Sequence, residues 1–424
     1  MESKLASYRR MVGLLTICQG INFLFPLLTL PLLVRTLGTA VFGSYSVLFG
    51  LIALTQVLTE FGYAIHGVRV VAASQNEEDA REQFNIIIFA KLFLCMVAFP
   101  IYLLAINLYS DSTITSSAAA AAYAFILGSS INPTWYFIAR KKFVAYTLAS
   151  ATWKLISFAG LYLCVSNPED LTAAVAINSI GNLALGATAM GIARLSFSRV
   201  PTASSTINSD AMHMARKILL SLRETRHLFV ANVGISLYTS INVVLIGFVG
   251  GSEPAGQFSA AERIVKAAQL LLASLSTAAL PAIAGTDGEA ERSKLQTKLL
   301  ATQVLIFAPT ALMMALGAPL ALEMLYGQAD PVPLAVLRIL SVNIVLGGIS
   351  SSLNSQVLAA AGQYKTISHI VLIGGFSNLI LAYALASTYG AIGCAVAVVS
   401  TEFAVLLLTW YAGNSKQNFR ASGQ

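Results

Sequence analysis

The chain has 424 residues, of which 56% are hydrophobic and only 11% charged, with a net charge of +7 and a mean hydropathy of +0.73. Soluble domains carry roughly 25% charged residues, so this balance excludes a soluble enzyme. Apolar runs recur from end to end, which excludes one with a single anchor. The positive charge does not point to nucleic acid, because the basic residues cluster in short gaps between the apolar runs.

A spanning helix needs about 20 apolar residues. That ruler predicts about twelve transmembrane helices, near residues 11–34, 42–63, 83–108, 118–139, 145–165, 172–193, 227–249, 257–284, 299–322, 334–359, 367–387 and 390–412. The runs are too long for the roughly ten-residue alternating strands of a membrane barrel. The expected fold is an all-α integral membrane protein.

The first run follows MESKLASYRRMVG, whose basic residues are like the start of a signal peptide. The run is too long for a signal core and no small-residue cleavage site closes it cleanly, so it reads as the first span. Pro26 and Pro31 lie inside it, and each removes a backbone hydrogen bond, so kinks are expected there. Kinks are likewise expected at Pro100 and Pro309.

Lys and Arg mark the cytoplasmic loops. With the N-terminus inside, Arg35 is the one loop cation left outside. An even number of spans then expects both termini in the cytoplasm. The longest gap, 194–226, begins polar and turn-rich (FSRVPTASSTINSD) and ends basic and amphipathic (ARKILLSLRETRH). It reads as a cytoplasmic linker ending in an interfacial helix, or as a solvated connector. It divides the chain into an N-terminal six-helix bundle, 1–193, and a C-terminal six-helix bundle, 227–424.

The halves resemble one another. TLGTAVFGSYS at 36–46 aligns with VGGSEPAGQFS at 249–259, an offset of 213 that is close to half the chain. Gly38, Gly43 and Ser46 meet Gly251, Gly256 and Ser259, and Tyr45 meets Phe258. Pro100 and Pro309 occupy corresponding spans. Halves of even span number make a parallel repeat, related by an axis along the membrane normal.

Charge inside the spans is the informative signal. The cations are Lys91, Lys154, Arg263, Lys266 and Arg338; the acids are Glu60, Glu262 and Glu402, with Glu323 near a helix end. Each costs about 2.5–3.5 kcal/mol at a helix centre, so these groups are expected to face a bundle interior or an aqueous cavity. Glu262 and Lys266 are four apart and can pair along one face. One acid cannot neutralise both Lys266 and Arg263, so the cluster keeps a positive charge. Lys91 and Lys154 have no nearby acid in sequence. A cavity bearing Arg263, Lys266, Lys154 and Lys91 would select an anion, phosphate above all, since Arg grips phosphate bidentately and Lys acts as a point charge. The bland alternative is that Lys91, Arg263 and Lys266 snorkel to an interface.

Arg338 reads as a boundary anchor and Glu60 as a local cap or pair. Glu402, in VVSTEFAVLLL, either pairs with a cation or binds a coupling proton or sodium ion. Glu262 and Glu60 share that choice of charge pair or coupling-ion role. Asparagines inside spans, among them Asn178, Asn182, Asn242 and Asn378, serve as interhelix glue or as donors to sugar hydroxyls. Cys18, Cys95, Cys164 and Cys394 fall singly in apolar runs, without zinc spacing. No Walker A, HExxH or GxSxG pattern occurs. No catalytic residue, metal or cofactor is therefore expected.

Two stretches carry a family resemblance. QGINFLFPLLTLPLLVRTLGTAVFG, 19–43, resembles the opening of bacterial polysaccharide-repeat flippases of the O-antigen type, in the multidrug/oligosaccharidyl-lipid/polysaccharide (MOP) exporter superfamily. GQFSAAERIVKAAQLLLASLSTAALPAIA, 256–284, resembles that family's second-half signature. The resemblance implies two six-helix bundles around a central cavity that opens alternately to each side, with Arg263 and Lys266 at the site. The implied substrate is an undecaprenyl-pyrophosphate-linked oligosaccharide, moved from the cytoplasmic to the periplasmic leaflet of the bacterial inner membrane. Membrane lipids, a polysaccharide polymerase and chain-length proteins are the implied partners, and nucleic acid is not one. A multidrug cation antiporter of the same superfamily is the nearest alternative, though it would need an acidic cavity. A membrane glycan polymerase or ligase is disfavoured by the short outside loops. A non-transporting scaffold stays open.

Overall fold

In the computed structural model, which describes residues 2–109, 111–197, 211–284, 286, 288–327 and 330–421, no strand is found among the described residues. The helices are α1 (Glu2–Glu60), α2 (Tyr63–Ala73), α3 (Glu77–Leu108), α4 (Ser116–Ile131), α5 (Thr134–Ala139), α6 (Phe143–Cys164), α7 (Leu171–Phe197), α8 (Ala211–Thr239), α9 (Ile241–Gly250), α10 (Ser252–Ala284), α11 (Glu289–Tyr326), α12 (Pro331–Leu353) and α13 (Tyr364–Ala421). A π-helical turn, Asn354–Ala359, continues α12. Helices suit lipid because each satisfies its own backbone polar groups.

Among the described residues six helical segments are long and apolar enough to cross a membrane, or seven if α8 and α9, bent by 50°, form one broken span. Two of the six run to 49 and 50 residues, Phe25–Ala73 and Tyr364–Gly413. At 1.5 Å per residue each would be about 75 Å long if straight, over twice the ~30 Å hydrocarbon thickness. Both are broken internally, at Gly38 and at Gly390. The chain is a multi-pass membrane protein.

The break in α1 falls at Gly38 (φ 75°, ψ 165°), while the helix runs on through Pro26 and Pro31. Gly251 between α9 and α10 has nearly the same backbone (φ 89°, ψ −177°). These two positions are the ones the repeat aligns. Only glycine takes this positive-φ, extended-ψ conformation without a Cβ clash. The chain thus turns between consecutive apolar runs by the same local device in both halves. Pro100 lies inside α3 and Pro309 inside α11, with Pro319 a further proline in α11 that the sequence reading passed over.

The helices form two compact units. The first comprises Met1–Phe25 and Leu48–Val233, the second Pro26–Val47 and Gly234–Gln424. Residues 26–47, expected within the first bundle, therefore belong by packing to the second unit. The reason is a close backbone approach. A Cβ on Gly43 would overlap the Ser252 carbonyl oxygen and stand 2.9 Å from Gly256 N. One on Gly256 would overlap the Thr39 carbonyl oxygen and stand 3.1 Å from Gly43 N. Small residues four apart on both helices of the contact, Thr39 with Gly43 and Ser252 with Gly256, let the helices touch as membrane helices with such motifs do.

Of the expected linker 194–226, residues 198–210 lie outside the described residues. Its basic second part is the start of α8 and packs in the first unit. There Lys217 pairs with Glu82, Phe61 stacks on Phe229 at 4.3 Å, and His66 Nε2 lies 3.9 Å from Glu224. Met212 and Leu219 on this helix are 82% and 69% exposed. The core of the first unit gathers Phe84, Trp135, Tyr136, Phe137 and Tyr146.

Candidate functional site

The second unit holds the charged cluster of α10. Its sequence GQFSAAERIVKAAQ places Glu262, Arg263 and Lys266 in consecutive turns, and the structure gives each a distinct partner. Lys266 Nζ pairs with Glu262 Oε1 at 2.9 Å and donates to the Thr239 carbonyl at 2.8 Å. Glu262 is 13% exposed at its side chain and Lys266 is 40% exposed. The Arg263 guanidinium carbon lies 5.1 Å from the Phe42 ring centroid and 5.8 Å from that of Tyr45. Its Nη2 approaches Ser46 Oγ at 3.5 Å, too long for a strong hydrogen bond.

Arg263 is thus held by aromatic faces rather than by a carboxylate. Cation–π contacts hold a guanidinium with about 0.5–2 kcal/mol and leave its charge uncancelled. The one acid of the triplet is spent on Lys266, so the cluster stays positive. Phe42 and Tyr45 were not marked as site residues from the sequence. Their three-residue spacing, which places both on one helix face, was the available signal.

Farther along α10, Gln269 Nε2 donates to the Asn343 carbonyl at 2.9 Å. Glu402 of α13 lies nearby, 6% exposed, beside Gly347. Asn378 Nδ2 donates to Asn242 Oδ1 at 2.7 Å, interhelix glue of the expected kind. Arg35 caps α11, donating from Nη2 to the Met324 carbonyl at 2.6 Å. Arg338 is exposed on α12.

In the first unit Lys91 and Glu60 meet, with Nζ to Oε1 at 2.6 Å. Lys91 is 1% exposed, and its ammonium also donates to the Ser129 carbonyl at 3.0 Å. Ser129 Oγ in turn accepts from Gln56 Nε2 at 2.6 Å and Asn182 Nδ2 at 2.9 Å. The pair is part of a buried polar network. In this arrangement Lys91 offers no free charge to a solute. Lys154, also in this unit, stands 5.8 Å from the Phe25 ring centroid. So the structure joins Lys91 to Glu60 and Lys266 to Glu262, and leaves Glu402 without an ion pair among the described residues.

Comparisons with known proteins bear on this arrangement. The chain is 28% identical over 423 residues to a putative O-antigen transporter of Escherichia coli (strain K12), covering 98% of this chain and 99% of that one. It is 25% identical over 406 residues to a putative O-antigen transporter of Shigella dysenteriae, covering 94% and 98%. Among solved structures it superposes on the lipid II flippase MurJ, inward closed, with a TM-score of 0.70 at 17% identity, covering 94% of this chain and 87% of that one. An inward-facing multidrug resistance MATE transporter of the MOP superfamily gives 0.69 at 15% identity, covering 92% and 94%. At such identities the likeness is of fold, and the fold is that of MOP-superfamily transporters. The family model described as polysaccharide biosynthesis protein matches residues 9–286, well over half the chain, and the chain belongs to that family.

Proposed function

We propose that the chain is a flippase that moves an undecaprenyl-pyrophosphate-linked oligosaccharide repeat unit from the cytoplasmic to the periplasmic leaflet of the bacterial inner membrane. The observation that carries this reading is the uncancelled positive charge of the α10 cluster. Arg263 rests on the rings of Phe42 and Tyr45, and the acid beside it is engaged by Lys266. A cation held by aromatic faces keeps its N–H groups available for an anion, and a guanidinium fits two oxygens of a phosphate at once. The relatives described as O-antigen transporters and the MurJ-like fold agree with a lipid-linked glycan as cargo. A multidrug antiporter for cations would place its substrate against like charge, which costs rather than stabilises.

In this reading Arg263 and Lys266 contact the pyrophosphate, and Lys154 of the first unit remains a substrate-binding candidate. Lys91, once a substrate-binding candidate, acts as the buried counter-ion of Glu60 and positions the Ser129 network. The chain crosses the membrane twelve times with both termini cytoplasmic, and works by alternating access. Prolines Pro26, Pro31, Pro100 and Pro309 soften the helices that rearrange. A polymerase and chain-length proteins take over the product outside.

The test is surface glycan in cells whose own copy is deleted. Arg263→Ala at wild-type membrane level should abolish it, and Arg263→Lys should restore a part. Normal surface glycan in Arg263→Ala would falsify this assignment.

A further inference from the structure

The polar network around Lys91 does not end inside the first unit. It comes to the surface along one stripe of side chains. Gln56 and Glu60 are one turn apart on α1, and Phe49 lies two turns before Gln56 on the same face. Phe125 and Ser129 are one turn apart on α4, and Asn182 meets both from α7. All six side chains are half-buried. The Phe49 and Phe125 rings meet edge to face with centroids 5.5 Å apart. Gln56, Ser129 and Asn182 stand inside the apolar runs LTQVL, FILGSSI and INSIGNLAL. A half-buried amide turned to lipid would lose its water hydrogen bonds with nothing in exchange. The open side of the stripe therefore faces water.

Interhelix packing uses only part of what these groups offer. Gln56 Nε2 and Asn182 Nδ2 donate to Ser129 Oγ at 2.6 and 2.9 Å, and Asn182 Nδ2 also donates to the Phe125 carbonyl at 2.8 Å. The two amide oxygens, Gln56 Oε1 and Asn182 Oδ1, have no hydrogen bond among the described residues. Ser129 Oγ accepts twice, so its own proton is left to donate. Glu60 gives Oε1 to Lys91 at 2.6 Å, yet its side chain is still 32% exposed. The stripe thus presents several acceptors and a hydroxyl donor beside two aromatic rings. An anion such as phosphate would meet amide oxygens and a carboxylate, which repel it. A second cation would meet the Lys91 ammonium already on Glu60. A neutral sugar suits the set, because its hydroxyls both donate and accept and its C–H face packs on aromatic rings.

We propose that this stripe is a glycan subsite in the first unit, which binds neutral sugar hydroxyls of the cargo, and that Gln56 and Asn182 set which sugars are accepted. The inference rests on the glycan cargo proposed above and adds where this unit takes hold of it. Glu60, held by Lys91, accepts from a hydroxyl at one end, while Phe49 and Phe125 carry an apolar ring face at the other. From Phe49 to Glu60 is about 16 Å of helix, longer than one sugar ring. A site built to hydrogen-bond a hydroxyl rejects the sugar that lacks it, because its own polar group is then left unpaired.

Equilibrium binding to the purified full-length protein in nanodiscs tests this with two probes. One is undecaprenyl pyrophosphate; the other is the lipid-linked oligosaccharide that accumulates in the source cells when this chain is deleted. The wild type should bind the glycan-bearing lipid about tenfold or more tighter than the sugar-free one. Gln56→Leu and Asn182→Leu should each weaken the glycan-bearing lipid roughly five- to tenfold and leave the affinity for the sugar-free lipid unchanged. Arg263→Ala should weaken both lipids. No binding of either lipid to the wild type sinks the cargo reading, and the subsite with it. Equal wild-type affinity for the two, or Leu variants that weaken both alike while folded, overturns the subsite alone and returns the stripe to interhelix packing. Should a Leu variant fail to fold, Ser129→Ala, which deletes one oxygen, decides: it should lower the ratio of the two affinities, and an unchanged ratio overturns the subsite.

Discussion

Gly43 and Gly256 meet backbone to backbone, and they are the same position of an internal repeat. The contact is reciprocal: a Cβ on either would overlap a carbonyl oxygen of the other helix, Ser252 for Gly43 and Thr39 for Gly256. Ser252 and Thr39 are themselves matched at the same offset of 213. A repeat read from a few glycines is thereby also a pair of equivalent surfaces in contact.

Adding a methyl group at Gly256 should therefore do more than its size suggests. Gly256→Ala forces the helices apart, and overpacking of this kind costs about 1–3 kcal/mol. The thermal midpoint of the detergent-purified protein should fall, and Gly43→Ala should act in the same direction. Gly191→Ala, where a Cβ meets nothing within 4 Å, is the control and should leave the midpoint unchanged or slightly raised. Equal effects at Gly256 and Gly191 would count against the close approach.

The Lys91–Glu60 pair should behave as one unit. Lys91 is 1% exposed, so Glu60→Gln leaves a buried ammonium with neutral acceptors only, the new amide oxygen and the Ser129 carbonyl. Breaking one side of a buried pair costs on the order of 3 kcal/mol, while removing both charges costs much less. Lys91→Met and Glu60→Gln should each destabilise, and the double variant should recover part of the loss. Additive losses in that double-mutant cycle would mean the pair is not coupled.

Aromatic support of Arg263 gives a graded expectation. Tyr45→Phe keeps the ring and should keep surface glycan near the wild-type level. Tyr45→Leu and Phe42→Leu each remove one cation–π contact worth about 0.5–2 kcal/mol and should lower it. Quantified surface glycan at matched protein level separates the two cases. Equal activity of Tyr45→Phe and Tyr45→Leu would deny the ring a role.

Arg35 should anchor the end of α11. Its guanidinium donates to the carbonyls of Met324 and Leu325, the negative end of that helix. Arg35→Gln should lower thermal stability by about 1 kcal/mol, with Arg35→Lys intermediate because one ammonium cannot reproduce the planar fork. The readout is again the unfolding midpoint of purified protein.

The proposed twelve crossings carry a plain topological consequence. A reporter fused after Ala412 should report the cytoplasmic side, as should one fused within 198–210. An external signal at either point breaks the map.

Much of this protein was legible in its sequence because membrane insertion is a local affair. A run of apolar residues is driven into lipid whatever its neighbours, so membrane class and helical fold followed from hydropathy alone. Positions of charge and the equivalence of Gly38 with Gly251 were equally visible, since each depends on residue type and spacing. What the sequence could not decide was the company each charge keeps. Lys266 and Glu262 are four apart and their pairing could be read from helix geometry. Lys91 finds Glu60 from 31 residues away, and Arg263 rests on rings more than 200 residues earlier. Those partners depend on which helices touch, and that is set by small-residue contacts such as Gly43 with Gly256. The same packing took residues 26–47 into the second unit, although chain order places them in the first half. It also separated three acids that looked alike in sequence, giving two a cation and Glu402 no ion pair among the described residues, because a buried charge is defined by what surrounds it.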